Sequence, residues 1–150
     1  MKLGDAGMKK NSENNSTFIK SKYYTGLLVK EVDIDNFMKT NQKEGKKSVI
    51  IFGANWCPDV KVFDDILDMP IMTKLIKKTL GILRIDVGDY DKNMHLMEYL
   101  GDNTQQGLPL VLIFDDELNL LNLDESRHWR TARERAPAEI INYFEAYANL

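Results

Sequence analysis

The chain has 150 residues, 29% of them charged, a formal net charge of -3 and one cysteine. That length suits one domain with a real core, and the mild acidity gives no ground for an obligate nucleic-acid or anionic-membrane partner. A lone cysteine excludes an internal disulfide framework and a thiolate-rich zinc site, and it leaves the compartment open.

Residues 1–18 are polar, with Asn11-Ser-Glu-Asn-Asn-Ser16 at their centre. So little apolar surface does not offset ordering entropy, which predicts a disordered tail ahead of a domain over 19–150. The stretch also lacks the apolar run of a signal peptide. The expected address is therefore cytoplasmic, or periplasmic or secreted where a leader has been removed. Tyr23 to Val29 mixes aromatic and β-branched residues and predicts a first strand. Val32, Ile34, Phe37 and Met38 then give a helical stripe that fades by Gly45.

Ser48 to Phe52 is a continuous apolar run, the pattern of a central strand covered on both faces. A second helix is expected to open at Cys57 and to bury Val60, Phe63 and Leu67. Pro70 starts another, since a missing N–H costs nothing in a first helical turn. Gly81 to Val87 reads as a strand, Lys92 to Leu100 as a helix stopped by Gly101, and Leu110 to Phe114 as a strand. Leu118 to Leu123 is expected to return as a hairpin partner, and 124–136 to form a charged loop or short helix. Pro137 opens a last helix with Ile140, Ile141, Phe144 and Tyr147 inward. This order implies an α/β fold: one central mixed sheet with helices on both faces. No apolar run is long enough to span a membrane.

Cys57 carries the chemistry. It lies between a strand end and a helix start, at the carboxyl edge of the sheet where sites form. Unpaired first-turn N–H groups and the positive end of the helix dipole stabilise a thiolate there. Lys61 adds to that help and Asp59 opposes it. A free cysteine is most often a small buried apolar residue; the strand–helix junction argues instead for an accessible thiol. Val60, one turn on, reads as core. Pro109, directly before an apolar run, is confined to the first position of that strand.

Other candidates are weaker. His95 and His128 stand alone, without metal-ligand company, and Asp86, Asp89 and Asp91 lack calcium-loop spacing and read as a turn. Arg127, Arg130, Arg133 and Arg135 surround Trp129, but Glu125 and Glu134 dilute the charge and a solvated face is expected.

Three stretches, Val49-Ile-Ile-Phe-Gly-Ala-Asn-Trp-Cys-Pro-Asp-Val60, Arg84-Ile-Asp-Val87 and Gly107-Leu-Pro-Leu-Val-Leu-Ile-Phe114, together resemble the thioredoxin family. The closest likeness is to bacterial members with a Trp-Cys-Pro-Asp-Cys site, and it runs from about residue 23 to the C-terminus. The resemblance implies a four- or five-stranded mixed sheet, with Cys57 as the catalytic nucleophile and Pro109 as a cis proline beside it. It also implies a substrate groove at Trp56, Pro58, Leu108 and Pro109, Leu108 offering its backbone to a bound peptide.

Val60 stands where that family carries its resolving cysteine, Ile51 where thioredoxins proper carry a buried aspartate, and Ile82 at the place of a nearby lysine. The implied activity is thiol–disulfide exchange through Cys57 alone. Protein disulfides or thiols are the partners, no bound cofactor is needed, and an external thiol such as glutathione releases the mixed disulfide. The competing expectation is a redox-inactive module of the same fold that binds proteins in this groove. An iron–sulfur monothiol protein fits less well, because Cys57-Pro-Asp-Val60 lacks the Gly-Phe-Ser pattern of that group.

Overall fold

A computed structural model describes residues 23–104 and 106–150; the expected tail lies outside them. The elements are α1 (Glu31–Lys43), β1 (Lys47–Gly53), α2 (Pro58–Leu67), α3 (Pro70–Thr79), β2 (Leu80–Asp86), α4 (His95–Tyr99), β3 (Leu110–Phe114) and α5 (Pro137–Ala148). Two 3₁₀ segments, Leu123–Glu125 and His128–Glu134, connect β3 to α5.

Among the described residues the sheet is three-stranded, in the order β2-β1-β3, with β2 parallel and β3 antiparallel to the central β1. Side chains alternate across it with the period of two that a strand imposes. Ile50, Phe52, Ile85, Leu110 and Leu112 join Ile34, Met38, Leu96 and Met97 of α1 and α4 in one core. Val49, Ile51, Val111 and Ile113 join Phe63, Leu67, Met72, Ile140 and Phe144 of α2, α3 and α5 in the other. Both faces are therefore covered, which is why β1 and β3 are apolar at nearly every position. Each such side chain, fully buried, contributes about 1.5–3 kcal/mol. Among the described residues no helix is long and apolar enough to cross a membrane.

Three expectations are corrected. Tyr24 to Lys30 forms no strand, so the described sheet has fewer strands than the expected four or five. Leu27 and Leu28 are 62% and 69% exposed, and the segment is held by side chains: Asn93 accepts from the Val29 N–H at 2.9 Å and donates to the Leu27 carbonyl at 3.0 Å. Asn93 also donates to the Asp86 carbonyl at 2.9 Å, from a backbone with φ of 56° that an asparagine tolerates.

The helix expected over Lys92 to Leu100 begins only at His95, because Asn93 has left helical geometry to make those bonds. The hairpin partner at Leu118 to Leu123 reduces to one bridge, Phe114 to Leu120. Asn122 replaces the missing ladder: its amide accepts from the Ile113 N–H and donates to the Val111 carbonyl, both at 2.8 Å.

Asn93→Ala removes three hydrogen bonds at once and leaves the Val29 N–H unmet in a buried site. It is expected to cost about 2–4 kcal/mol, read as a lower urea midpoint at unchanged slope. A loss below about 1 kcal/mol would show that the segment is held by something else.

Candidate functional site

The sheet order fixes what stands around the cysteine. β1 is central, so residues after Gly53 emerge between the end of β2 and the start of β3. Phe52 pairs with Leu110, and continuing that antiparallel register by one step sets Pro109 opposite Gly53. On the other side Val87 donates to the Gly53 carbonyl at 2.9 Å, and the β2–α4 loop follows with Gly88 and Tyr90. Gly53 itself is required: a Cβ there would lie 2.7 Å from the Tyr24 ring carbon Cζ and hydroxyl oxygen.

Ala54 to Cys57 then turn the chain, with the Cys57 N–H donating to the Ala54 carbonyl at 3.3 Å and Asn55 donating to the Tyr24 carbonyl at 2.7 Å. Cys57 occupies the capping position of α2 in extended geometry (φ -90°, ψ 115°), and its own side chain makes no capping hydrogen bond among the described residues. Pro58 fills the first helical position. The sulfur is thus the side chain carried at the end where first-turn N–H groups are unpaired. Its neighbour Trp56 is 49% exposed and fixed by donation of its indole N–H to the Gly88 carbonyl at 2.6 Å. The Trp56 and Tyr90 rings meet at 5.5 Å. Burial, with a smaller influence from Cys57, pushes the Tyr90 hydroxyl above the ordinary tyrosine value.

The expected openness of that thiol is corrected. Cys57 keeps only 8% of its surface and belongs to the buried cluster that holds Ala54, Val60 and Leu108. The reason is packing of the strand–helix junction into that cluster, to which Leu108 of the loop before β3 also belongs. Pro58 is exposed, while Leu108 and Pro109 are buried, and the Leu108–Pro109 bond is cis. Val60 is 2% exposed and packs in the same cluster.

The charges flanking Cys57 are both engaged. Lys61 pairs with Asp65, one turn along the helix, at 3.4 Å. Asp59 is almost fully buried and accepts from the Arg133 N–H at 2.9 Å and from Arg133 Nε at 3.2 Å. Ile51 and Ile82 lie on the sheet as apolar residues, and a second buried carboxylate, Asp64, stands one turn beyond Val60. It pairs with Arg84 Nε at 2.9 Å, and burial raises its carboxyl above the usual aspartate value despite that partner.

Three features had little sequence signal. Tyr90 is an exposed aromatic in a loop at the carboxyl edge of the sheet, a place that alone marked it. Asp59, expected to act only through its charge on the thiol, anchors the 3₁₀ segment through Arg133. The arginines are not one solvated face. Arg127 pairs with Asp102 at 2.5 Å and also donates to the Gln106 carbonyl, Arg135 pairs with Glu139 at 3.1 Å, and Arg133 holds Asp59. Asp86 and Asp91 accept from the Gly88 and Asp89 N–H groups, as turn residues do.

Residues 31–116 match a family described as thioredoxin-like. The chain is similar to the crystal structure of a disulphide isomerase from Xylella fastidiosa, at 26% identity and a TM-score of 0.75, covering 83% of this chain and 95% of that one. It is also similar in fold to the first thioredoxin domain of mouse protein disulfide-isomerase A4, at 18% identity and a TM-score of 0.50, covering 81% of this chain and 74% of that one. No curated protein matches it.

Proposed function

This chain belongs to the thioredoxin-like family, and from that premise we propose that it performs thiol–disulfide exchange through one cysteine. The Cys57 thiolate attacks one sulfur of a substrate disulfide RS–SR′. A Cys57–SR bond forms, the S–S bond breaks, and R′S⁻ leaves and takes a proton from solvent. With Val60 in place of a second thiol, release falls to an external low-molecular-weight thiol such as glutathione. That thiol attacks the mixed disulfide, leaves as a new disulfide with R, and returns Cys57 as thiolate.

The observation that supports this reading is the position of Cys57: at the N-terminal end of α2 and in one buried cluster with Leu108, whose bond to Pro109 is cis. The similarity to a disulphide isomerase from Xylella fastidiosa agrees with it. The small residual surface of Cys57 suits attack on an approaching disulfide sulfur, while Trp56 and Pro58 offer exposed surface to the rest of a peptide. Protein disulfides are accordingly the substrate class, with Leu108 pairing its backbone to an extended chain.

The competing reading, a redox-inactive module that holds a protein in the same groove, draws on the burial of the thiol. Intact-mass measurement separates the two. Incubation with a peptide disulfide is expected to add one peptide half to the wild type and none to Cys57→Ser, and glutathione is expected to remove the adduct. Peptide binding with no adduct on Cys57 establishes the module instead.

A further inference from the structure

The walls on either side of Cys57 differ in chemistry, and the sheet order sets which is which. On the β2 side stand Trp56 and Tyr90, with Asp89 exposed beside them. On the β3 side stands the 3₁₀ segment His128–Glu134, which packs across the Gly107 loop at one end and against Asp59 at the other. Gly107 has φ of 83°, and a Cβ there would lie 3.2 Å from Arg130 Cδ and 3.4 Å from Arg130 Nη1. Arg130 therefore lies against the residue immediately before Leu108 and Pro109.

Arg130 is exposed and has no ion pair among the described residues. Arg133 gives only its backbone N–H and Nε to Asp59, and its side chain is 59% exposed. The Arg130 guanidinium thus faces solvent against the loop that carries the cis proline, with the half-exposed Arg133 three residues on in the same segment, in a chain whose net charge is negative. Guanidinium forks match carboxylates with two parallel hydrogen bonds.

We propose that Arg130, with Arg133 beside it, is the specificity-determining element of this site, selecting peptide disulfides that carry a carboxylate next to the attacked cysteine. The inference rests on the exchange reaction proposed above and names its substrate class. Asp89, exposed on the β2 side, disfavours an acidic side chain there, so the arrangement favours one direction for the peptide. An exposed pair of this kind gives roughly a two- to fivefold preference rather than an absolute one.

The test uses short peptides whose single cysteine is activated as a neutral 2-thiopyridyl disulfide, flanked by Glu, Gln or Lys, with thiopyridone release followed under single-turnover conditions. The expected order for the wild type is Glu over Gln over Lys, with a Glu-to-Gln ratio of about two to five that shrinks as salt is raised. Arg130→Gln is expected to bring that ratio close to one, and Arg130→Glu to invert the order. Inversion is a readout that loss of packing does not produce.

Equal rates for the three peptides, or a preference that survives in Arg130→Glu, overturn the assignment and leave the exchange reaction standing. No release from any peptide overturns both. A glutathionyl disulfide, offered in competition, distinguishes the source of the carboxylate. Faster attack on it than on the Glu-flanked peptide overturns the assignment to peptides.

Discussion

Val60→Cys is expected to convert a protein that stalls after one attack into one that completes the reduction of a disulfide unaided. Cys57 and Val60 are three residues apart across the first turn of α2, a spacing that puts them on one face of the helix. Pre-reduced wild type, mixed with a protein disulfide and no other thiol, should accumulate the Cys57 adduct and release little product. In the variant the introduced thiol attacks that adduct from the same molecule, and the reaction ends with a disulfide between it and Cys57.

Intramolecular attack by a positioned thiol outruns attack by a millimolar external thiol by on the order of a hundredfold or more. Adduct decay, followed by intact mass or by release of a labelled substrate, measures the ratio. The replacement removes little volume from a site that is 2% exposed, so stability should fall by about 1 kcal/mol. Decay of the adduct at the wild-type rate, in a variant that is folded, would show that Cys57 and position 60 do not communicate and would remove the exchange reading's main consequence.

How far the sequence reveals this architecture depends on what holds each segment. β1 and β3 are legible because burial on both faces forces an unbroken apolar run. α2, α3 and α5 are legible because Pro58, Pro70 and Pro137 mark first turns and an apolar stripe follows each.

Tyr23 to Val29 has the composition of a strand and none of its pairing. The Asn93 side chain meets the backbone groups that a neighbouring strand would have met, and no local pattern shows a partner some 64 residues away. Asn122 does the same between β3 and the segment after it. The site divides along the same line. Cys57 and Pro109 are visible from their local context, whereas the burial of the sulfur and the two contrasting walls arise from the order of strands, which brings Tyr90 and Arg130 to opposite sides of one turn. Charge patterning also fails for the arginines, since three of the four pair with Asp59, Asp102 and Glu139, and only the folded chain shows that Arg130 has no ion pair among the described residues.

Arg84→Met is expected to be the most destabilising single change in the core, and the loss should depend on pH. Arg84 and Asp64 form an ion pair with side chains 12% and 9% exposed, and Arg84 also stacks over the Tyr23 ring at 3.7 Å. Removing one partner strands the other, which costs about 3–5 kcal/mol. The pH dependence follows from Asp64. Burial already raises its carboxyl in the wild type, against the lowering effect of Arg84, and deleting Arg84 removes the main opposing influence and raises it further.

A carboxyl held above its unfolded value binds its proton more tightly in the native state. Its contribution is therefore complete below about pH 3.9, the unfolded value, and is lost as pH climbs through the higher folded value. The variant should lose most stability near pH 7 and markedly less near pH 4, where a neutral Asp64 tolerates burial. Urea titrations of both proteins at the two pH values measure the difference. The double change Asp64→Leu with Arg84→Met should recover most of the loss, because it removes the stranded charge instead of exposing it. An equal loss at both pH values, or no recovery in the double variant, would mean that packing around the Arg84 stem, and not the buried charge, governs this part of the core.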